Sequence, residues 1–236
     1  MKKAKTSVEA QFDKFFSQKP VVQYEFDRKK MGQKDKKIIQ CLSKYGIKGK
    51  KCLDTGPGTG RWLHFLKSNG SHYLAAIDIS QKSLANCSHL CNKTQKANCE
   101  KDNFDFESDF FDIVISIEVL EHLRNPDNYL SEILRVTKKR GIILMSTPNI
   151  SSFISRLRML LGFLPVAVST DKTHVRFYRK KDIVKLFALF NLQPQFIPTS
   201  ISLNPFNSKS KINIPSLGLI SSLDDSLLFM IQIEKR

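Results

Sequence analysis

Three glycines at alternate positions, Gly56, Gly58 and Gly60, follow a short apolar run that ends in an acid, in LDTGPGTGR (53–61). A chain needs that spacing where its backbone must turn sharply or let another group come very close, because glycine tolerates left-handed dihedrals and carries no Cβ. KKCLDT (50–55), ahead of the turn, reads as a strand, and 59–69, behind it, reads as a helix. Strand, glycine turn and helix in that order open an α/β sheet, whose ligands bind at the carboxyl ends of its strands.

The unit then repeats. HYLAAID (72–78) predicts a strand, 80–93 a helix opened by Ser80, 97–101 a weak strand, and FDIVISI (111–117) a stronger one. A helix follows over 126–138, then GIILMST (141–147) as a strand and RKKDIVKLFALF (179–190) as a helix. QPQFIPT (193–199) and SLLFMIQIEKR (226–236) read as the last two strands. Runs of Ile, Val and Leu bounded by Gly, Asp and Pro, with helices between them, predict a doubly wound, mostly parallel sheet covered on both faces. Residues 1–34, basic and punctuated by Phe12, Phe15, Phe16, Tyr24 and Phe26, are expected to form a helical cap on a domain running over 35–236. Within that domain, 151–178 and the Ser-, Asn-, Pro- and Lys-rich 200–225 are expected to cover a binding site, since connections of such length are seldom idle.

Hydrophobic residues make up 41% and charged residues 25%, which excludes wholesale disorder. The 38 Lys and Arg against 22 Asp and Glu leave +16, a field that attracts RNA, an acidic membrane face or a phosphorylated substrate, although scattered lysines also serve solubility alone. Five cysteines, an odd number without a CxxC pair, argue against a disulfide framework or a structural zinc and for a reducing cytoplasm. No stretch approaches the ~20 apolar residues of a membrane span, and MKKAKTSVEAQFDKFF lacks the apolar core of a signal peptide. The expectation is a cytoplasmic protein, peripheral to the membrane at most.

The glycine turn fits neither the G-x-G-x-x-G dinucleotide fingerprint nor a phosphate-binding P-loop. Asp54 precedes it, and Asp78 ends the second strand, where an acid can accept both hydroxyls of a ribose. Asp-x-Gly-x-Gly-x-Gly (54–60), Asp78, DFFDIVISIEVLEHL (109–123) and RVTKKRGIILMSTPN (135–149) together resemble the class I S-adenosylmethionine-dependent methyltransferases, over about residues 40–200. The resemblance implies a Rossmann-like, seven-stranded sheet with the last strand antiparallel. It also implies that the methionine part of S-adenosylmethionine lies over Gly56, Gly58 and Gly60 beside Asp54, with its ribose on Asp78. The adenine would sit between Ile79 and the segment around Lys101 and Asp102, with Glu100 and Asp105 as rivals for the acid, and the Ile117 backbone would close the site.

Glu118, Glu121 and His122 stand at i, i+3 and i+4, so on a helical turn they project to one side, just past the strand that should meet the cofactor. E-x-x-E-H with a later histidine, here His174 of THVRFY, resembles the metal ligands of two methyltransferase groups. The ubiquinone-pathway O-methyltransferases match the first three residues, and the small-RNA 3′-terminal 2′-O-methyltransferases match all four. A divalent metal on Glu118, Glu121, His122 and His174 would lower the pKa of an acceptor hydroxyl and fix its oxygen, with manganese, iron or zinc open to imidazole ligands. Without metal, His122 or His174 would serve as general base. A third reading makes EVLEHL a structural signature in which Glu118 borders the cofactor and Glu121 and His122 bond nearby backbone.

The Asp/Asn-Pro-Pro-Tyr motif of amino-methylating DNA enzymes and the Pro-Cys nucleophile of cytosine C5 enzymes are both absent. RNA ribose methylation stays open through the charge and the four-ligand pattern, although TPNISSF departs from the acidic-aromatic-Asn element of the small-RNA group. TPN, SRLRMLLGFLP and HVRFYRKKDIVKLF resemble methyltransferases associated with surface polysaccharides, lipids and quinones. Phe153, Ile154, Leu157, Leu160, Leu161 and Leu164 recur at helical spacing, a stripe that would either pack on its own protein or roof the acceptor pocket against a prenyl or acyl chain. The expected activity is O-methylation of a small-molecule, sugar or lipid-linked hydroxyl. Its rivals are RNA 2′-O-methylation and a non-catalytic S-adenosylmethionine-binding protein.

Overall fold

Apolar residues at consecutive positions of a strand point to opposite faces, so each Ile/Val/Leu run demands cover on both sides. A computed structural model of the chain, describing residues 7–17, 31–169, 171–202, 213–215 and 222–234, shows how that cover is supplied. The strands are β1 (Lys51–Thr55), β2 (Tyr73–Asp78), β3 (Lys93–Lys96), β4 (Phe111–Ile117), β5 (Thr137–Pro148), β6 (Gln195–Ile197), β7 (Ser200–Ser202), β8 (Asn213–Pro215) and β9 (Ser226–Gln232). The helices are α1 (Ser7–Ser17), α2 (Gln33–Tyr45), α3 (Arg61–Ser68), α4 (Gln81–Cys87), α5 (Asp127–Val136), α6 (Phe153–Leu160), α7 (Val166–Ser169) and α8 (Lys180–Ala188). On one face Leu53, Ala75, Ile77, Val114, Ile143 and Met145 meet Tyr129 and Ile133 of α5 and Ile183 and Phe187 of α8. On the other, Cys52, Leu74, Ala76, Ile113, Ile115 and Leu144 meet Ile38 and Leu42 of α2, Leu63 and Leu66 of α3 and Leu84 of α4. Each fully buried Leu or Ile contributes about 1.5–3 kcal/mol, so these two layers hold the sheet shut.

The seven-stranded sheet runs β3-β2-β1-β4-β5-β9-β6, and β7 and β8 form a separate pair. β1, β2, β3, β4 and β5 pair in parallel, while β9 is antiparallel to both β5 and β6. The expected doubly wound topology with an antiparallel last strand is therefore present. The chain leaves β1 towards β2 and β3, then returns to β4 on its other side, which opens a crevice at the carboxyl ends of β1 and β4.

Several boundaries differ from the sequence expectation. The helix that opens at Ser80 stops at Cys87 rather than 93, because Asn92 is drawn into the sheet: its N–H donates to Leu74 O and its Oδ1 accepts from Leu74 N–H. The third strand is Lys93–Lys96, not 97–101. KTQK is an edge strand with alternate residues exposed, so it lacks the apolar run that marks the others, and 98–102 instead form a turn closed on Asn98 O. β5 begins at Thr137, which pairs with Phe111 before a register shift, so α5 ends at Val136.

The cap expected over 1–34 divides. α2 is part of the core, α1 packs on α4, and residues 1–6 and 18–30, with Tyr24 and Phe26, lie outside the described residues. So do 203–212 and 216–221 of the expected cover over 200–225. All five cysteines are free thiols, and among the described residues no helix is long and apolar enough to cross a membrane.

Candidate functional site

The glycine loop after β1 divides its labour. Gly56, Gly58 and Gly60 all have positive φ, at 76°, 58° and 79°. A Cβ on Gly56 would lie 2.6 Å from Val119 Cγ2, and one on Gly60 2.8 Å from Cys87 Cβ, so these two admit the protein's own close packing. A Cβ on Gly58 would meet only the Phe16 ring, at 3.5 Å. Gly58 is thus the position whose bareness serves whatever lies over the loop.

Two acids end the strands beside it. Asp54 is 1% exposed, its Oδ2 has no hydrogen-bond partner, and burial, reinforced by Asp78, pushes its pKa up to about 8. A buried carboxylate oxygen left without a partner demands a donor, and the ammonium of a methionine moiety would satisfy it. Asp78 accepts from Ser80 N–H at 2.8 Å and Ser83 Oγ at 2.6 Å. Burial still holds its pKa above the ordinary value, against the lowering by those bonds. Ser80 caps α4, accepting from Ser83 N–H at 3.2 Å.

Towards the expected adenine position, Ile79 is half-buried and Lys101 exposed. Asp102 accepts from Asn98 N–H at 2.7 Å and braces the turn after β3. Its rivals are engaged as well: Glu100 accepts from the N–H groups of Arg124 and Asn125, and Asp105 pairs with Lys93 at 2.6 Å.

At the end of β4, Ile117 pairs in register with Ser146, and the chain then breaks. Glu118 has φ 57°, a left-handed conformation that costs a non-glycine residue energy and clusters at functional sites. The turn that follows, Leu120–His122, is 3-10 rather than α-helical, so Glu118 does not share one helical face with Glu121 and His122. Its carboxylate is taken by Lys34 of α2 at 2.9 Å and by the Ser146 hydroxyl at 2.6 Å. Burial raises its pKa, but Lys34, Ser146 and His174 outweigh that and hold it below the usual value.

Glu121, His122 and His174 do converge, each offering a ligand atom within 4.8 Å of the others. Glu121 is 1% exposed with neither oxygen hydrogen-bonded. Burial, then the nearby Glu118, pushes its pKa well above the usual carboxylate range. His122 Nδ1 lies 3.1 Å from Thr173 O and 3.0 Å from Thr173 Oγ1, while that hydroxyl donates its proton to Asp171 Oδ1 at 2.5 Å. Both Thr173 oxygens therefore accept, Nδ1 carries the hydrogen, and Nε2 keeps its lone pair. Burial, ahead of the neighbouring charges, lowers the His122 pKa and keeps the ring neutral. His174 Nδ1 faces Ala167 O at 2.7 Å, so its Nε2 is the nitrogen turned to the cluster, 3.9 Å from Glu121 Oε1 and 3.7 Å from Asp171 Oδ2. The 171–176 segment is clamped on this turn because the N–H groups of Val175 and Arg176 both donate to Glu121 O, at 2.9 and 3.0 Å.

Three contributions escaped sequence reading: Lys34, the Asp171–Thr173 pair, and the reach of the cap helix α1 into the site, where Phe12 meets His122 edge-on at 5.2 Å between ring centroids. Only α1 left a signal, acids and phenylalanines at 9, 12, 13 and 16, which is one helical face. After β5, α6 is capped by Ser152, whose Oγ accepts from Ser155 N–H. The stripe expected there splits: Ile154 is buried, whereas Leu160 is 83% and Leu164 62% exposed, with Phe153, Leu161 and Phe163 exposed beside them.

Comparison with known proteins gives the family and the fold. The methyltransferase domain family Methyltransf_23 matches residues 26–195. A ubiquinone biosynthesis O-methyltransferase of Dechloromonas aromatica is 29% identical over 180 residues, covering 73% of this chain and 75% of that protein. A SAM-dependent methyltransferase of Thermotoga maritima superposes with a TM-score of 0.62 at 15% identity, covering 86% of this chain and 88% of that one. Another, of Aquifex aeolicus, gives 0.58 at 12% identity, covering 95% and 98%. At such identities the two structures speak for the fold. The family match spans the glycine loop, both strand-end acids and the turn that carries Glu121 and His122, so the chain belongs to the methyltransferase domain family and is an S-adenosylmethionine-dependent methyltransferase.

Proposed function

We propose that the chain methylates a hydroxyl of a small apolar or lipid-linked acceptor, such as a polyprenylated phenol or a lipid-linked sugar. The carrying observation is the cluster after β4: two imidazoles, each anchored through Nδ1, and a buried carboxyl group that makes no hydrogen bond, next to the glycine loop. Supporting it, the similar Dechloromonas protein is named for an O-methylation in ubiquinone biosynthesis. The exposed apolar side chains of 153–164, with Arg156 and Arg158 among them, suit an acceptor tail at a membrane surface and peripheral contact with that surface.

The donor set of Glu121, His122 and His174 fits a divalent cation, because two imidazole nitrogens and a buried carboxyl group that makes no hydrogen bond are what such an ion uses. Glu118 is engaged by Lys34, so the reading is of three ligands, which weighs against the four-ligand RNA pattern. When bound, the cation would lower the acceptor's hydroxyl pKa. When bound, S-adenosylmethionine would supply a methyl group already activated on a sulfonium. The chain's own part is positional: Asp54 receives the ammonium, Asp78 the ribose, and Gly58 leaves room above the loop. The one lone pair of His122 Nε2 serves a single role at a time: it holds the cation, or without a cation it accepts the hydroxyl proton as the oxygen attacks the methyl carbon, while Thr173 and Asp171 keep Nδ1 protonated and the ring aimed. The products are the methyl ether and S-adenosylhomocysteine.

Turnover with a panel of prenylated phenols, sugars and RNA, with and without chelator, tests this. The expected result is an O-methylated phenol or sugar, with activity lost on chelation and regained with manganese, iron or zinc. Product on RNA, nitrogen or carbon would overturn the acceptor reading. Chelator-insensitive turnover that His122→Ala abolishes would leave the histidine base and remove the metal.

A further inference from the structure

α1 lies outside the residues matched by the methyltransferase family, yet one of its faces touches every loop of the donor crevice. Glu9, Phe12, Asp13 and Phe16 stand at i, i+3, i+4 and i+7, so they share that face. Glu9 bonds Lys96 Nζ at 2.5 Å at the end of β3. Asp13 accepts from Ser80 Oγ at 2.6 Å just after β2. Phe16 covers Gly58 after β1, and Phe12 meets His122 after β4 with ring planes at 87°. Both acids are buried, at 8% and 5% exposure, whereas Lys14 and Phe15 on the outer face are exposed. An acid buried on a short helix stays there only while its partner is in place, so these bonds act as latches.

We propose that α1 is the lid of the donor site and that Phe12 is a positioning residue for His122. The proposal rests on the reading of this crevice as the S-adenosylmethionine site. Phe16 stands at van der Waals distance from the position a Gly58 side chain would take, which leaves no layer between helix and loop. The donor reaches the loop only when α1 lifts, and S-adenosylhomocysteine leaves the same way. Closure brings Phe12 edge-on to the imidazole whose Nδ1 Thr173 holds, so helix docking and the aim of Nε2 are coupled. A lid that must open lowers the apparent rate of binding by the fraction of time it is open, and slows release by the same closing step.

The test uses the full chain and S-adenosylhomocysteine as probe. Binding and release rates are measured for wild type, Asp13→Ala, Phe16→Ala and, as control on the outer face, Lys14→Ala. Asp13→Ala and Phe16→Ala are expected to raise both rate constants about tenfold, with Lys14→Ala at wild-type rates. Phe12→Ala is expected to lower kcat severalfold with acceptor KM unchanged. Equal rates in wild type and latch variants, or loss of all binding in the latch variants, would overturn the lid and leave α1 a fixed wall. Hydrogen exchange in the wild type gives a readout independent of variant folding: amides of 7–17 should exchange ahead of α5 and slow when the probe is added. Unchanged exchange of those amides on binding would also overturn it. Wild type that binds no probe at all would strike the donor reading itself.

Discussion

The two ends of the crevice are built on opposite plans. Around β1 and β2 the donor end uses backbone and short side chains: three left-handed glycines, a capping serine and two acids at strand ends. The proposed acceptor end, after β4, is assembled from side chains on segments far apart in the chain, Lys34 from α2, Glu121 and His122 from a 3-10 turn, and Asp171, Thr173 and His174 from the segment before α8. A donor that is the same molecule in every relative can be held by fixed backbone geometry, whereas an acceptor that varies is better met by replaceable loops on a constant scaffold.

That contrast makes separable predictions. The largest concerns His122: His122→Ala should reduce kcat by about 10²–10⁴-fold while calorimetry finds donor affinity unchanged, and a parallel loss of donor binding would break the division. On the other side, Asp54→Asn should weaken donor binding roughly ten- to a hundredfold, the worth of a hydrogen bond to a charged group, without altering the ratio of activities between two acceptors. Next in size, Thr173→Val should lower kcat about tenfold, with Thr173→Ser restoring most of it, since only the hydroxyl links His122 to Asp171. A pH effect follows from Asp54, whose folded pKa of about 8 stands above the roughly 3.9 of an unfolded aspartate. Folding disfavours its ionised form, so its contribution to stability is fully present below about 4 and is lost as pH climbs towards 8. Thermal melts of donor-free protein should show that decline, and Asp54→Asn should flatten it. The smallest effect belongs to the exposed leucines of α6 and the residues after it: Leu160→Ser and Leu164→Ser should change stability by no more than about 0.5 kcal/mol. Flotation with vesicles of anionic lipid should nevertheless show weaker association; equal flotation would mean that those side chains face water alone.

Sequence reading reached the sheet because its strands carry unbroken apolar runs, and it reached the glycine loop because no other residue replaces Gly56, Gly58 and Gly60 in left-handed geometry. It misplaced β3 because KTQK, half exposed, has a loop's composition. It grouped Glu118 with Glu121 and His122 by assuming a helix, where the left-handed Glu118 backbone swings its carboxylate to Lys34 and Ser146 instead. The tautomers of His122 and His174 depend on contacts with 167–173, pairings that no local pattern encodes.

The polar character that concealed β3 also has a protective effect. An outermost strand leaves half its amide and carbonyl groups open to pairing with a neighbouring molecule, and aggregation begins at such borders. Here the strand is only four residues long and its end lysines are paired with Asp105 and with Glu9 of α1, so shortness, polar side chains and these neighbours together keep the flank from fibre-like stacking.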